Sequence, residues 1–156
     1  MNPLAFNQVP VTDIVHAIQL SLAPVFLLNG IGVLLSMLTS RLSRIVDRAR
    51  DMEAELPEAS PAEGRLIIVR LSVTSRRARL MNRAITLSTV AALFIALVVA
   101  LLFSSAFTPL PLTFVIALLF ILSMSSLVGA LWCFLLEVRI ATAALRIGPA
   151  PSKTRQ

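Results

Sequence analysis

The side chains able to do chemistry in this chain are few, and most stand alone. His16 is the only histidine and Cys133 the only cysteine, so neither a metal-ligand pair nor an intramolecular disulfide is available from them. His16 lies one turn from Asp13 and beside Gln19, and is expected to be an interfacial group without further ligands. The sequence has no HExxH, no G-x-S-x-G and no phosphate-cradling glycine loop. An acid and a base, Glu137 and Arg139, lie together at the edge of one of the apolar segments. What remains is a set of amides and hydroxyls, Gln19, Asn29 and Ser36, inside an otherwise apolar run. An amide in hydrocarbon is costly unless paired. Asn29 is therefore expected to bond to another helix or to line a water path. Pro24 removes a backbone hydrogen bond in the same run. With Asn29-Gly30 and Gly32 it makes this the most deformable part of the chain, a kink or a gating hinge. The pattern points away from an enzyme, and no cofactor is expected.

The elements that position these residues follow from the distribution of charge. Ile14–Ser40 and Ala84–Leu136 contain no Asp, Glu, Lys or Arg, while Arg41–Arg83 holds ten of the thirteen arginines and six of the eight acids. Apolar residues make up 57% and charged ones 14%, against about 25% charged in a soluble domain. Such a surface belongs in a bilayer. A spanning helix needs about 20 apolar residues. Ile14–Ser40 fits one span. Ala84–Leu136 fits two, separated at Thr108-Pro109-Leu110-Pro111, where two prolines cannot both lie in a helix interior. The expected fold is an all-α membrane protein with spans at about 16–38, 85–106 and 112–135, forming a single domain over 1–147 with a disordered tail at 148–156.

The basic residues also give the expected orientation. The 41–83 segment and the C-terminal residues Arg139, Arg146, Lys153 and Arg155 are arginine- and lysine-bearing, whereas the N-terminal residues and 107–111 have neither. The positive-inside rule then places 41–83 and the C-terminus in the cytoplasm and the N-terminus outside. The absence of Lys and Arg before the first run argues against a signal peptide. The net charge of +6 is read as topology and headgroup contact, not nucleic-acid binding, because no aromatic residues interleave the arginines for base stacking.

Leu42, Ile45, Ala49, Met52 and Leu56 continue the first helix past the membrane, giving about 40 residues and a length of about 60 Å. Pro57 ends it. Ser60-Pro61-Ala62-Glu63 is a helix start, with Ser60 as cap, Pro61 in the first turn and Glu63 reaching back to the cap amide. Leu66, Val69, Val73 and Leu80 supply an apolar stripe to a returning helix, so 41–83 is expected to be an antiparallel hairpin. The third helix overshoots as far as Gly148-Pro149. The hairpin is basic near the membrane, at Arg41, Arg44, Arg48, Arg76, Arg77, Arg79 and Arg83, and acidic at its tip. The arginines are read first as setting orientation and solubility, and functionally as a collar on anionic headgroups, each adding about 1 kcal/mol of attraction. Asp47 is spaced to pair with Arg44 and Arg50.

Packing expectations follow from side-chain size. In the first span Gln19, Ala23, Asn29, Gly30, Ser36 and Ser40 fall on one side and Leu20, Leu27, Leu28, Ile31, Leu34, Leu35 and Leu38 on the other. The bulky side is expected to face lipid and the polar side protein or water. In the second span Ser88, Ala92, Ala96, Ala100 and Ser104 recur every four residues as a packing ridge, and Ser125, Gly129 and Cys133 make a shorter one in the third, for partner helices within the chain or in another subunit. Trp132 suits an interfacial anchor.

The stretch Ile18-Gln19-Leu20, Ala23-Pro24-Val25-Phe26-Leu27-Leu28, Gly30-Ile31-Gly32, Leu38-Thr39, Arg41-Leu42 and Arg44-Ile45-Val46-Asp47-Arg48, with Arg77-Ala78-Arg79-Leu80-Met81-Asn82-Arg83-Ala84-Ile85, resembles a bacterial membrane family known as domain of unknown function 2721. The resemblance covers roughly residues 14–145 and implies a bacterial inner-membrane location, but no activity. A topological similarity to proton-driven stators and biopolymer-transport energisers is fold-level analogy only. Three spans enclose no pore, so conduction would need several copies. The leading expectation is a homo-oligomeric, channel-like, non-enzymatic protein. The alternative is a scaffold or accessory subunit binding a cytoplasmic protein partner through the hairpin.

Overall fold

A computed structural model of the chain describes residues 11–105 and 112–145. These form three helices and, among the described residues, no strand: α1 (Val11–Glu55), α2 (Pro61–Ser105) and α3 (Thr113–Leu145). All three are long and apolar enough to cross a membrane, with mean hydropathies of 1.9, 2.7 and 2.5 in their most apolar stretches. The expected turn at 107–111, the Gly148-Pro149 stop and the tail at 148–156 lie outside the described residues.

The helix ends follow local chemistry. α1 runs unbroken through Pro24, Gly30 and Gly32. It closes where the Leu56 amide donates to the Glu53 carbonyl at 3.3 Å, just before Pro57. At the start of α2 the Ser60 amide and hydroxyl donate to Glu63 Oε2 at 3.0 and 2.7 Å, while the Glu63 amide approaches Ser60 Oγ at 3.5 Å. This reciprocal capping satisfies donors that the first helical turn leaves open. The Ser60 hydroxyl, and after it the Ser60 amide, hold the Glu63 carboxyl below the usual carboxylate range.

The chain divides into two compact units. The first comprises residues up to Met37 together with Thr86–Val128. Its core is Ile31, Ala91 and Ile95, with Leu27, Leu35, Met124 and Leu127 packed against them. Two hydroxyls tie α3 to α2 here: Ser123 Oγ donates to the Ala91 carbonyl and Ser126 Oγ to the Leu87 carbonyl, each at 2.8 Å. Ser88 Oγ is buried without a hydrogen-bond partner.

The second unit comprises Leu38–Ile85 and the residues from Gly129 onward. Leu38, Ile45, Met81, Ala84 and Ala130 are its buried apolar side chains. Glu137 is buried among the described residues of this unit with no exposed surface.

The inward positions follow one spacing along each helix. On α1 they are Ser21, Pro24, Ile31, Leu38 and Ile45; on α2 Met81, Ala84, Ser88, Ala91, Ile95 and Val98; on α3 Ser123, Ala130 and Glu137. Steps of seven, or of three and four, keep these positions on one stripe of each helix.

That spacing decides which of the expected packing positions lie inside one copy. A ridge with steps of four drifts about 40° around the helix at each step. Ser88 is therefore buried and Ala92 half-buried, whereas Ala96, Ala100 and Ser104 are exposed. On α3, Gly129 and Cys133 are half-buried, but Ser125 is exposed and its hydroxyl returns to its own helix at the Ile121 carbonyl. In α1, Ile31 and Leu38 point inward, whereas Gln19, Ala23, Asn29, Gly30 and Ser36 are exposed within one copy. The bulky Ile31 packs against the small Ala91 and against Ile95, since van der Waals packing is a main attraction between helices in hydrocarbon. On α2, Leu66, Val69 and Val73 are exposed rather than forming the inner stripe, and only Leu80 is half-buried.

Candidate functional site

Three helices converge on one carboxylate in the second unit. Glu137 on α3 accepts two hydrogen bonds from Arg77 on α2, from Nε at 3.0 Å and Nη2 at 2.7 Å, both to Oε1. Arg41 on α1 brings Nη2 to 3.4 Å from Oε2. The guanidinium carbon of Arg41 also lies 5.0 Å from the centre of the Phe134 ring, one turn from Glu137. The Arg41 and Arg77 side chains keep 31% and 26% of their surface exposed, while that of Glu137 keeps none.

The geometry follows from position on each helix. Arg41 is the first charge after the apolar run of α1, and Glu137 the first after that of α3. Glu137 occupies the next inward step after Ser123 and Ala130, so its side chain has no route to water. A buried carboxylate is stable only with paired charge and hydrogen bonds. Arg77 supplies both, and Arg41 adds attraction and a cation–π contact. Oε2 accepts no hydrogen bond, so the pairing is lopsided. Two cations around one anion leave the cluster with a net positive charge.

The cluster is an ionic clamp between helices. Among the described residues no three His, Cys, Asp or Glu side chains gather as a metal site. Arg139, the expected neighbour of Glu137, is exposed.

The arginine collar is therefore divided. Arg41 and Arg77 turn inward, whereas Arg44, Arg48, Arg76, Arg79 and Arg83 are exposed. Arg44 donates to Ser40 Oγ at 3.3 Å, and Asp47 is exposed without the expected pairs to Arg44 and Arg50. In α1, Pro24 is buried while Gln19, Asn29, Gly30 and Ser36 face outward. A Cβ added at Gly30 or Gly32 would meet nothing within 4 Å. Asn29 has no hydrogen-bond partner among the described residues.

The convergence on Glu137 was not found from sequence. Arg77 and Glu137 are 60 residues apart, beyond any local spacing rule. The readable signal was the seven-residue step Ser123, Ala130, Glu137, which places an acid on the packed face of an apolar helix.

Residues 21–147 match the family model described as "Protein of unknown function (DUF2721)". No curated protein and no solved structure matches the chain.

Proposed function

The chain belongs to that family of unknown function, and we propose that it is a non-enzymatic membrane protein acting as a homo-oligomeric, channel-like assembly. The observation that carries this reading is the outward face of α1. Asn29 lies near the middle of a charge-free run and is exposed, beside Gly30 and Gly32, which open onto empty space. An amide directed at lipid tails is costly, and its relief is a hydrogen bond to another copy or a water-filled path shared between copies. Gln19 and Ser36 are exposed on the same span, with Pro24–Gly32 as the hinge.

In this reading the membrane is a bacterial inner membrane, with the N-terminus outside and the C-terminus in the cytoplasm. The charged segment forms a cytoplasmic antiparallel hairpin. Arginine asymmetry supports the orientation, and the short link between Glu55 and Pro61 supports the hairpin. Two hollows do so as well, one bringing Glu55 near Leu66 and Arg70 and the other Leu42 near Arg79 and Arg83. A cysteine introduced at Glu58 should be labelled only from the cytoplasmic side.

The test of the channel is ion flux in reconstituted vesicles with the oligomeric state measured in nanodiscs. Flux through wild type that Asn29→Leu abolishes, with helicity retained, is the expected result. A monomer, or no flux under any gradient or potential, removes the channel reading.

A second reading, a scaffold that binds a cytoplasmic protein, has its own support. Leu66, Ile68, Val69 and Val73 are exposed on α2 in the charged segment. Substituting Leu66, Val69 and Val73 by Gln should release such a partner without affecting insertion.

A further inference from the structure

The exposed arginines are not equivalent. Arg79 and Arg83 line one open hollow of about 360 Å³ with Leu42 of α1 and with Ala78 and Asn82 of α2. They are four residues apart on one helix, a spacing at which like charges repel. Both are exposed, and neither has an acid partner among the described residues. Arg77, only two residues before Arg79, is committed to Glu137. The sole buried acid of the unit is thus already taken.

Depth supplies the second argument. Along α2, Arg79 and Arg83 lie between the Arg77–Glu137 pair and the charge-free run that begins at Ala84. At the helical rise they stand about 3 Å and about 9 Å nearer the apolar run than Arg77. Leu42 lies two residues beyond the end of the charge-free run of α1. The hollow therefore opens where hydrocarbon gives way to headgroups. Its walls are apolar at Leu42 and Ala78 and cationic at the two guanidiniums.

We propose that this hollow is a binding site for the headgroup phosphate of an anionic phospholipid. Two planar guanidinium forks match phosphate oxygens geometrically. A shared anion also converts the repulsion between Arg79 and Arg83 into two attractions. Leu42 and Ala78 give the glycerol end of the lipid an apolar wall. The inference rests on the reading that these helices span a bilayer, and not on conduction or on subunit number.

The test is native mass spectrometry of the full chain in detergent, with phosphatidylglycerol or phosphatidylcholine added. Wild type should retain phosphatidylglycerol in preference. The double variant R79Q/R83Q should bind it about tenfold or more weakly. R65Q/R70Q, which removes two exposed arginines outside both the hollow and the collar, should leave retention near the wild-type level. Equal losses in the two variants would reduce the effect to general charge attraction and overturn the site. Inorganic phosphate offered alone separates the two sources of the same chemistry. Its failure to bind or to displace lipid supports a lipid site, whereas phosphate binding without lipid preference overturns it. Circular dichroism of each variant verifies folding. A monomeric, non-conducting protein that still retains phosphatidylglycerol would end the channel reading and leave this one standing.

Discussion

The two units use the same three helices and the same inward spacing, yet they are held by different forces. In the first, the seam is Ile31, Ala91 and Ile95, with serine hydroxyls bonded to carbonyls of the facing helix. In the second, the same positions carry Leu38 and Met81 but end in a buried carboxylate gripped by arginine. The difference is one of tolerance. A close-packed apolar seam loses stability in proportion to the volume removed. A buried ion cluster fails abruptly when one member is deleted, because the remaining charges stay inside without a partner.

That contrast is open to direct attack, first at its strongest point. Glu137→Leu should leave Arg41 and Arg77 facing inward without counter-charge and cost about 3–5 kcal/mol, seen as a large fall in the thermal midpoint in detergent. If Arg41 and Arg77 are replaced by Met in the same chain, most of that loss should return, and an unrecovered loss would show that the cluster is not a unit. Ile95→Ala in the other unit should cost about 2–4 kcal/mol by leaving a cavity, with no rescue by any charge change. Ser123→Ala should cost only about 0.6 kcal/mol, the usual worth of an interhelical hydrogen bond in a membrane. Loss of several kcal/mol there would mean that hydroxyl bonds, not packing, hold the first unit.

The smallest effect concerns the start of α2. The folded-state carboxyl of Glu63 titrates below its ordinary value because it accepts from Ser60. Its contribution is thus complete above the ordinary carboxylate range and is lost as pH falls through the lowered value. Protection factors of the amides at residues 62–64, corrected for the intrinsic slowing of exchange in acid, should fall at acidic pH while the seams of both units stay protected. Glu63→Gln should remove that pH dependence.

How much could be read beforehand divides along the same line. The charge-free runs, the long helices and the Ser60–Glu63 cap depend on neighbours within one helical turn or on bulk composition, and each was legible. The inner face of α1 was not. In hydrocarbon both faces of a helix are apolar, so hydropathy cannot tell the packed side from the lipid side. Small residues at steps of four in α2 suggested a ridge, but only Ser88 and Ala92 lie toward the seam. Arg41 and Arg77 read as surface charges because their counter-ion sits on the last helix. Only the seven-residue step through Ser123 and Ala130 pointed to Glu137.

The placement of that single acid on the last helix also bears on how the protein is made. A ribosome delivers α1 and α2 first, and their two converging guanidiniums then lack an anion. The half-made molecule carries a built-in electrostatic fault that only α3 can mend. Arrival of Glu137 both completes the set and fixes how far α3 slides along its neighbours, since a shift of one seven-residue step would strand the carboxylate. The acid is thus a completion signal: chains truncated before it should stay loosely assembled and be removed by membrane proteases, while full-length chains settle into a single register.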